Sequence, residues 1–235
     1  NIGKIVSRAG IIYVSINRTS LHNEANQTNA KQQPVRSNQI VFDAVKLSFA
    51  NLIDSIAGLA TYNAAHWACN IDRWHNNLNT NNTVTYKRGD IIFLDLGAQN
   101  FSHEPSYTHA CIVLADRYDS ILVVPCSTKQ YGTNHTGIID ATSADGFLRN
   151  TGIQSESFRW VSKNRVVSKT GNKVSPAVLD KLDQVLLSFA PSVKNQIKQK
   201  EILISNQKEQ ISLLQEQLKN LSGDNKKSEE TDENL

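Results

Sequence analysis

Two apolar runs, HACIVLA and SILVVPC, stand either side of the four residues DRYD in this chain of 235 residues. Each run has strand length and strand composition. A link that short between two such runs leaves the chain little choice but an antiparallel hairpin. The reversal fixes what meets at the far end. His109 opens the first strand, and Cys126, Ser127 and Thr128 close the second. In an antiparallel pair the start of one strand lies beside the end of the next, so an imidazole and a hydroxyl share one rim of the sheet. The polar loop before His109, with His103 and Glu104, hangs over the same rim.

The surroundings extend the hairpin into an α+β fold. VTYKRGDIIFLDLG reads as a strand ending at Gly97, and shorter β-like pieces follow at 135–140, in SESFRWVS and in RVVSKT. Short strands at this spacing predict a small antiparallel barrel or sandwich. Upstream, Phe42, Val45, Phe49, Leu52, Ile53, Ile56 and Leu59 recur at threes and fours and predict an amphipathic helix, with a second from Tyr62 to His75. Downstream, Ser175 is a good N-cap with Pro176 at the first helical position. The helix it starts carries Val178, Leu179, Leu182, Val185, Leu186 and Phe189 on one face, and Pro191 ends it. Ile197, Ile204, Ile211 and Leu218 then recur every seven residues. Their companions are Lys200, Gln207, Leu214 and Leu221, so only the C-terminal end of the seam is apolar, and a coiled coil and a lone amphipathic helix both fit. The expected organisation is an N-terminal extension at 1–36, partly disordered, a helical segment at 37–80, a barrel domain at 83–190, a helix or coiled coil at 192–221, and a disordered acidic tail at 222–235.

Composition narrows the function classes. Three cysteines are an odd count without repeating spacing, which argues against a disulfide framework and for a reducing, cytoplasmic setting. No histidine pair has the helical spacing of a zinc motif, so neither a metal nor a cofactor is expected. No apolar run approaches the roughly 20 residues that span a bilayer, so no membrane partner is expected. No small-residue cleavage site follows the basic-then-apolar start, which argues against a signal peptide. The chain begins at Asn1 and holds no Met, which leaves its natural start open. The net charge of +3 permits a nucleic-acid partner without demanding one. A local concentration is more telling: Arg149, Arg159, Lys163, Arg165, Lys169 and Lys173 interleave with Phe158 and Trp160. Cations neutralise phosphates and aromatic faces stack on unpaired bases, so this mixture suits single-stranded nucleic acid. A solvated basic strand pair with a core Trp fits it equally.

Five stretches in order resemble the MazF/PemK family of toxins from type II toxin-antitoxin systems. KRGDIIFLDLG is similar to the family's opening strand, and Ser102-His103-Glu104-Pro105 to its acidic loop. Val124-Pro125-Cys126-Ser127-Thr128 resembles its V-P-C-T-T strand end, FRWVSKNRV its later basic strand, and VLDKLDQVL its closing helix. The resemblance covers about 83–190. It implies a small SH3-like barrel of the MazF/PemK/CcdB type, a homodimer, and an mRNA interferase restrained by a cognate antitoxin. The implied reaction is metal-free cleavage of single-stranded RNA, in which the ribose 2′-hydroxyl attacks the adjacent phosphate and leaves a 2′,3′-cyclic phosphate and a 5′-hydroxyl. By position, Ser127 takes the family's hydroxyl role and Glu104 its loop acid, while His103, Thr128, Lys129, Arg159, Trp160, Lys163 and Arg165 are the expected RNA contacts. The family's R-P pair is replaced by His109-Ala110. An arginine is permanently charged, whereas an imidazole exchanges protons near neutrality. Either His109 moves the proton, with Lys129 or Arg159 supplying charge, or the site only binds nucleic acid or, as a relative of this fold does, gyrase. The acidic tail either lies in the basic groove or merely solubilises.

Overall fold

A computed structural model of the chain describes residues 5–8, 11–100 and 104–232, with side chains for 15–100 and 104–219. A two-stranded hairpin, β1 (Ile5–Arg8) and β2 (Ile11–Val14), is followed by three helices, α1 (Arg18–Ala25), α2 (Gln39–Ala57) and α3 (Thr61–Asn77). Next come the strands β3 (Asp90–Asp95), β4 (Thr108–Asp116), β5 (Ser120–Ser127), β6 (Ile138–Ala141), β7 (Thr151–Gln154), β8 (Arg159–Ser162) and β9 (Val166–Lys173). Helices α4 (Pro176–Ser188) and α5 (Pro191–Asp232) complete the order.

The seven strands β3 to β9 form one antiparallel sheet in the order β6-β7-β5-β4-β3-β9, with β8 also paired to β5. Here the sheet differs from a closed barrel: it curls but ends at β6 and β9. The hairpin β4–β5 is its centre, as the DRYD link requires. Its register runs from Ala110 opposite Cys126 to Asp116 opposite Ile121, with a bulge between Val113 and Ala115 that adds curvature.

Alternation along the strands sorts side chains onto two faces, each with its own core. One face presents Ile91, Ile112, Leu114, Val124, Cys126 and Ile153 to α4, whose Val178 and Leu182 are buried against it. Ser175 accepts the Val178 amide as N-cap and Pro176 occupies the first turn, as the sequence predicts. The other face gathers Tyr86, Ile92, Leu94, Leu96, Cys111, Val113, Ile121 and Val123, with Val161 and Val166 packed beside them.

Strand β3 starts at Asp90 rather than near Val84. Its entrance is a turn in which the Lys87 amide donates to Asp90 Oδ2 at 2.9 Å. Gly89 sits there at φ +86°, where a side chain would be strained. Four-residue β7, TGIQ, has too little apolar alternation to be read as a strand, yet it pairs both β5 and β6. The backbone of α5 stays helical to Asp232, through the segment expected to be disordered from 222. Lys and Glu are good helix formers, so extending a formed helix is cheap even without a packed face. Among the described residues no helix is long and apolar enough to cross a membrane.

Candidate active site

The site grows from the open end of the β4–β5 hairpin. Continuing the register of Ala110 opposite Cys126 by one residue sets His109 opposite Ser127, and His109 also faces Leu94 on β3. His109 follows the parity of Cys111 and Val113, and Ser127 that of Val123, so both belong to the Leu94 face, away from α4. The common rim is what the short link predicts, and the common face follows from the register. The His109 ring is part-buried, and its Nδ1 lies 3.1 Å from the Cys126 carbonyl oxygen. A carbonyl only accepts, so Nδ1 carries a proton and Nε2 is left to exchange one.

Ser127 Oγ accepts the Lys129 amide at 3.3 Å, which caps the short 3-10 turn Thr128–Gln130. That turn leaves Thr128 and Lys129 exposed just beyond Ser127. It lies so close to β7 that a Cβ on Gly152 would come within 2.6 Å of the Gln130 backbone. Glycine at 152 is therefore the space that lets the turn after Ser127 dock. Cys126 is not a rival nucleophile. Burial, the largest cause, pushes its thiol well above the ordinary range, and burial does the same for Cys111.

Arg159 is opposite Val123 on β8, on the same face, and is near enough to Cys111 for its charge to oppose that upward shift. Trp160 alternates to the other side and is about half exposed, with the Arg117 guanidinium 5.0 Å from its ring. Glu104, exposed, lines a shallow groove of about 480 Å³ together with Arg159, Trp160 and Arg165. His109 and Ser127 are not among the described lining residues of that groove. His103 lies outside the described residues.

Lys163 is placed differently from the other cations of this stretch. It is 4% exposed, its Nζ is 2.7 Å from Asp116 Oδ1, and it sits over the Tyr86 ring. Burial, the largest single cause, raises the Asp116 carboxyl, and the bonds from Lys163 and the Tyr86 amide together with the Lys163 charge more than offset it, leaving the group below its usual range. Lys163 is thus a buried cation already paired with a carboxylate. Counting positive charges along the chain could not tell it from Arg159, because only the fold says which cation is inside.

Sequence reasoning also missed what α3 contributes. Asp95, at the end of β3, is 2% exposed and receives Arg73 and, at 2.5 Å, Asn70 Nδ2. Asn77 and Asn164 bond each other's backbone carbonyls at 3.3 Å. The His66 ring lies 5.3 Å from that of Tyr107, which holds a left-handed φ of +68° two residues before His109. The one legible signal was Asp95 itself: a carboxylate ending an apolar strand must find a partner. Among the described residues no group of three or more His, Cys, Asp or Glu is placed to hold a metal ion.

Residues 87–190 match the family model of PemK-like, MazF-like toxins of type II toxin-antitoxin systems. Among solved structures, the chain is similar to an endoribonuclease in complex with its cognate antitoxin from Mycobacterial species. That pair is 15% identical with a TM-score of 0.32, covering 44% of this chain and 90% of that one. It is also similar to MazF from Deinococcus radiodurans, at 12% identity and a TM-score of 0.40, covering 46% of this chain and 98% of that one. No curated protein sequence matches the chain. The sheet with its closing helix, residues 87–190, belongs to the PemK-like, MazF-like toxin family.

Proposed function

We propose that this domain is an endoribonuclease that cuts single-stranded RNA by attack of the ribose 2′-oxygen on the adjacent phosphorus. The P–O bond to the 5′-oxygen breaks, a 2′,3′-cyclic phosphate forms, and the 5′-oxygen leaves as a hydroxyl. One proton must leave the 2′-oxygen and one must reach the 5′-oxygen. His109 is the carrier at one of these steps, through Nε2, because Nδ1 is committed to the Cys126 carbonyl. Glu104 serves the other step; exchanging the two roles uses the same groups. Ser127 Oγ, Lys129 and Arg159 meet the charge that grows on the phosphate oxygens. Thr128, Trp160 and Arg165 complete the RNA contacts. The observation that carries the reading is the common rim and face of His109 and Ser127. The same reading takes a cognate antitoxin and a second copy of the chain as partners, and the cytoplasm as its place.

The test is incubation of the full chain with end-labelled single-stranded RNA in excess EDTA. Products ending in a cyclic phosphate and beginning with a 5′-hydroxyl support it, as does resistance of a strand carrying 2′-deoxy sugars. Cleavage that ignores the 2′-hydroxyl rejects it. A second reading, a module that binds nucleic acid or gyrase without cutting, is favoured by one observation: His109-Ala110 stands where the family has its R-P pair. Tight RNA binding without any product would select it.

A further inference from the structure

We propose that the cleft between α3 and the sheet holds an unpaired base and its phosphate from the same RNA strand that the sheet domain cuts. This rests on the endoribonuclease reading and extends the substrate site onto a helix outside residues 87–190. The cleft measures about 230 Å³, room for one base-sized ring system, and is lined by Arg73, Trp74 and Arg165 among others. Trp74 is 55% exposed and lines both this cleft and the neighbouring hollow under Phe49 and Trp67. An indole left open beside cations is what a base stacks on.

The charge balance favours a phosphate. Arg73 and Asn70 satisfy the buried Asp95 carboxylate. Arg165 donates from Nη1 to the Asp95 carbonyl oxygen at 3.4 Å and enters no ion pair among the described residues. Two guanidiniums against one carboxylate leave the cleft with a net positive charge, and the Arg165 fork retains donors for a phosphate oxygen. The walls are set in advance. Asn164 Nδ2 donates to the carbonyls of Asn77 and Thr80, and Asn82 Nδ2 to that of Lys163, so α3 and the 162–165 turn are tied before any ligand arrives.

Continuity points to the same strand rather than to a separate ligand. Ser162 and Arg165 line both this cleft and the shallow groove of Glu104, Arg159 and Trp160. A strand lying in the groove reaches Trp74 by crossing Arg165. Each of the two hollows offers a guanidinium and an indole, the alternation that holds a sugar-phosphate chain and its bases.

The experiment is fluorescence anisotropy of the full chain with labelled 2′-O-methyl RNA, which cannot be cut, at two lengths of about 4 and about 16 nucleotides. Trp74→Ala and Trp74→Leu, the second keeping apolar bulk, should each weaken the long strand about tenfold and leave the short strand unchanged. Trp74→Phe should keep most of the affinity. An equal loss on both lengths, no loss on the long strand, or wild-type behaviour of Trp74→Leu overturns the proposal while leaving the nuclease reading in place. Failure of the wild-type chain to bind either strand rejects that reading, and the cleft with it.

Discussion

The sheet domain and the helices around it are held together by different physics. β3 to β9 and α4 bury two hydrophobic clusters, one on each face of the sheet, with Ile92, Leu94, Ile112, Ile121, Ile153 and Leu182 at zero exposure. Helices α1, α2 and α3 contain no buried residue at all, and every described residue of α5 from 191 to 219 is exposed. α3 meets the sheet through Arg73 and Asn70 at Asp95 and the 162–165 turn through Asn77, with none of its own residues buried. The contrast teaches that amphipathic periodicity alone does not say a helix is packed. α2 has a clear apolar face, yet Phe49 and Ile53 on it are 57% and 64% exposed. The sheet and α4 bury cores of their own, whereas α1, α2 and α3 bury no residue.

The largest way to break this contrast is to cut into the sheet core. Leu182→Ala should cost about 2–5 kcal/mol in denaturant unfolding, because a fully buried side chain leaves a cavity under α4. A loss no larger than that of a surface substitution would refute the two-core description. Next comes the polar attachment. Arg73→Ala leaves Asp95 buried without its cation, an expected loss of about 1–3 kcal/mol. Asp95→Asn with Arg73→Ala should recover part of it, read as a double-mutant cycle.

Acid should sharpen the comparison further. The Asp145 carboxyl is held below its usual range, first by the Thr142 amide and then by the Ser175 hydroxyl. Burial raises Asp90, and its bonds to Lys169 and the Lys87 amide more than offset that. Asp116 behaves likewise with Lys163. All three bind protons less readily folded than unfolded, so their stabilisation is fully present above about pH 5 and lost as pH falls through the folded values, below about pH 4. All three lie in the sheet domain. Acid titration followed by near-ultraviolet circular dichroism should show Trp and Tyr packing there fail below pH 4, with Asp145→Asn flattening part of the change. The smallest expected effect is on the helices: Phe49→Asp should move unfolding by no more than about 0.5 kcal/mol. A loss of core size would mean that α2 is packed after all.

The central hairpin was legible because seven-residue apolar runs and a four-residue link admit one arrangement, and it carried His109 and Ser127 with it. The α4 start was legible because Ser175 and Pro176 act within one turn of chain. Other features depend on partners far along the sequence. Lys163 finds Asp116, and Arg73 finds Asp95 across 22 residues of helix and strand. β7 is a strand because β5 and β6 lie on either side of it, not because of its own four residues. Burial and long-range pairing are properties of the fold, and a composition count cannot supply them.

The most direct measurement for the nuclease reading is single-turnover cleavage of single-stranded RNA across pH by the wild type, His109→Ala, Ser127→Ala and, as a control away from the rim, His22→Ala. The account predicts a bell-shaped profile for the wild type, losses of about 10²–10⁴ for His109→Ala with one limb of the bell removed, a smaller loss for Ser127→Ala, and an unchanged control. Full activity and an intact bell in His109→Ala would contradict it.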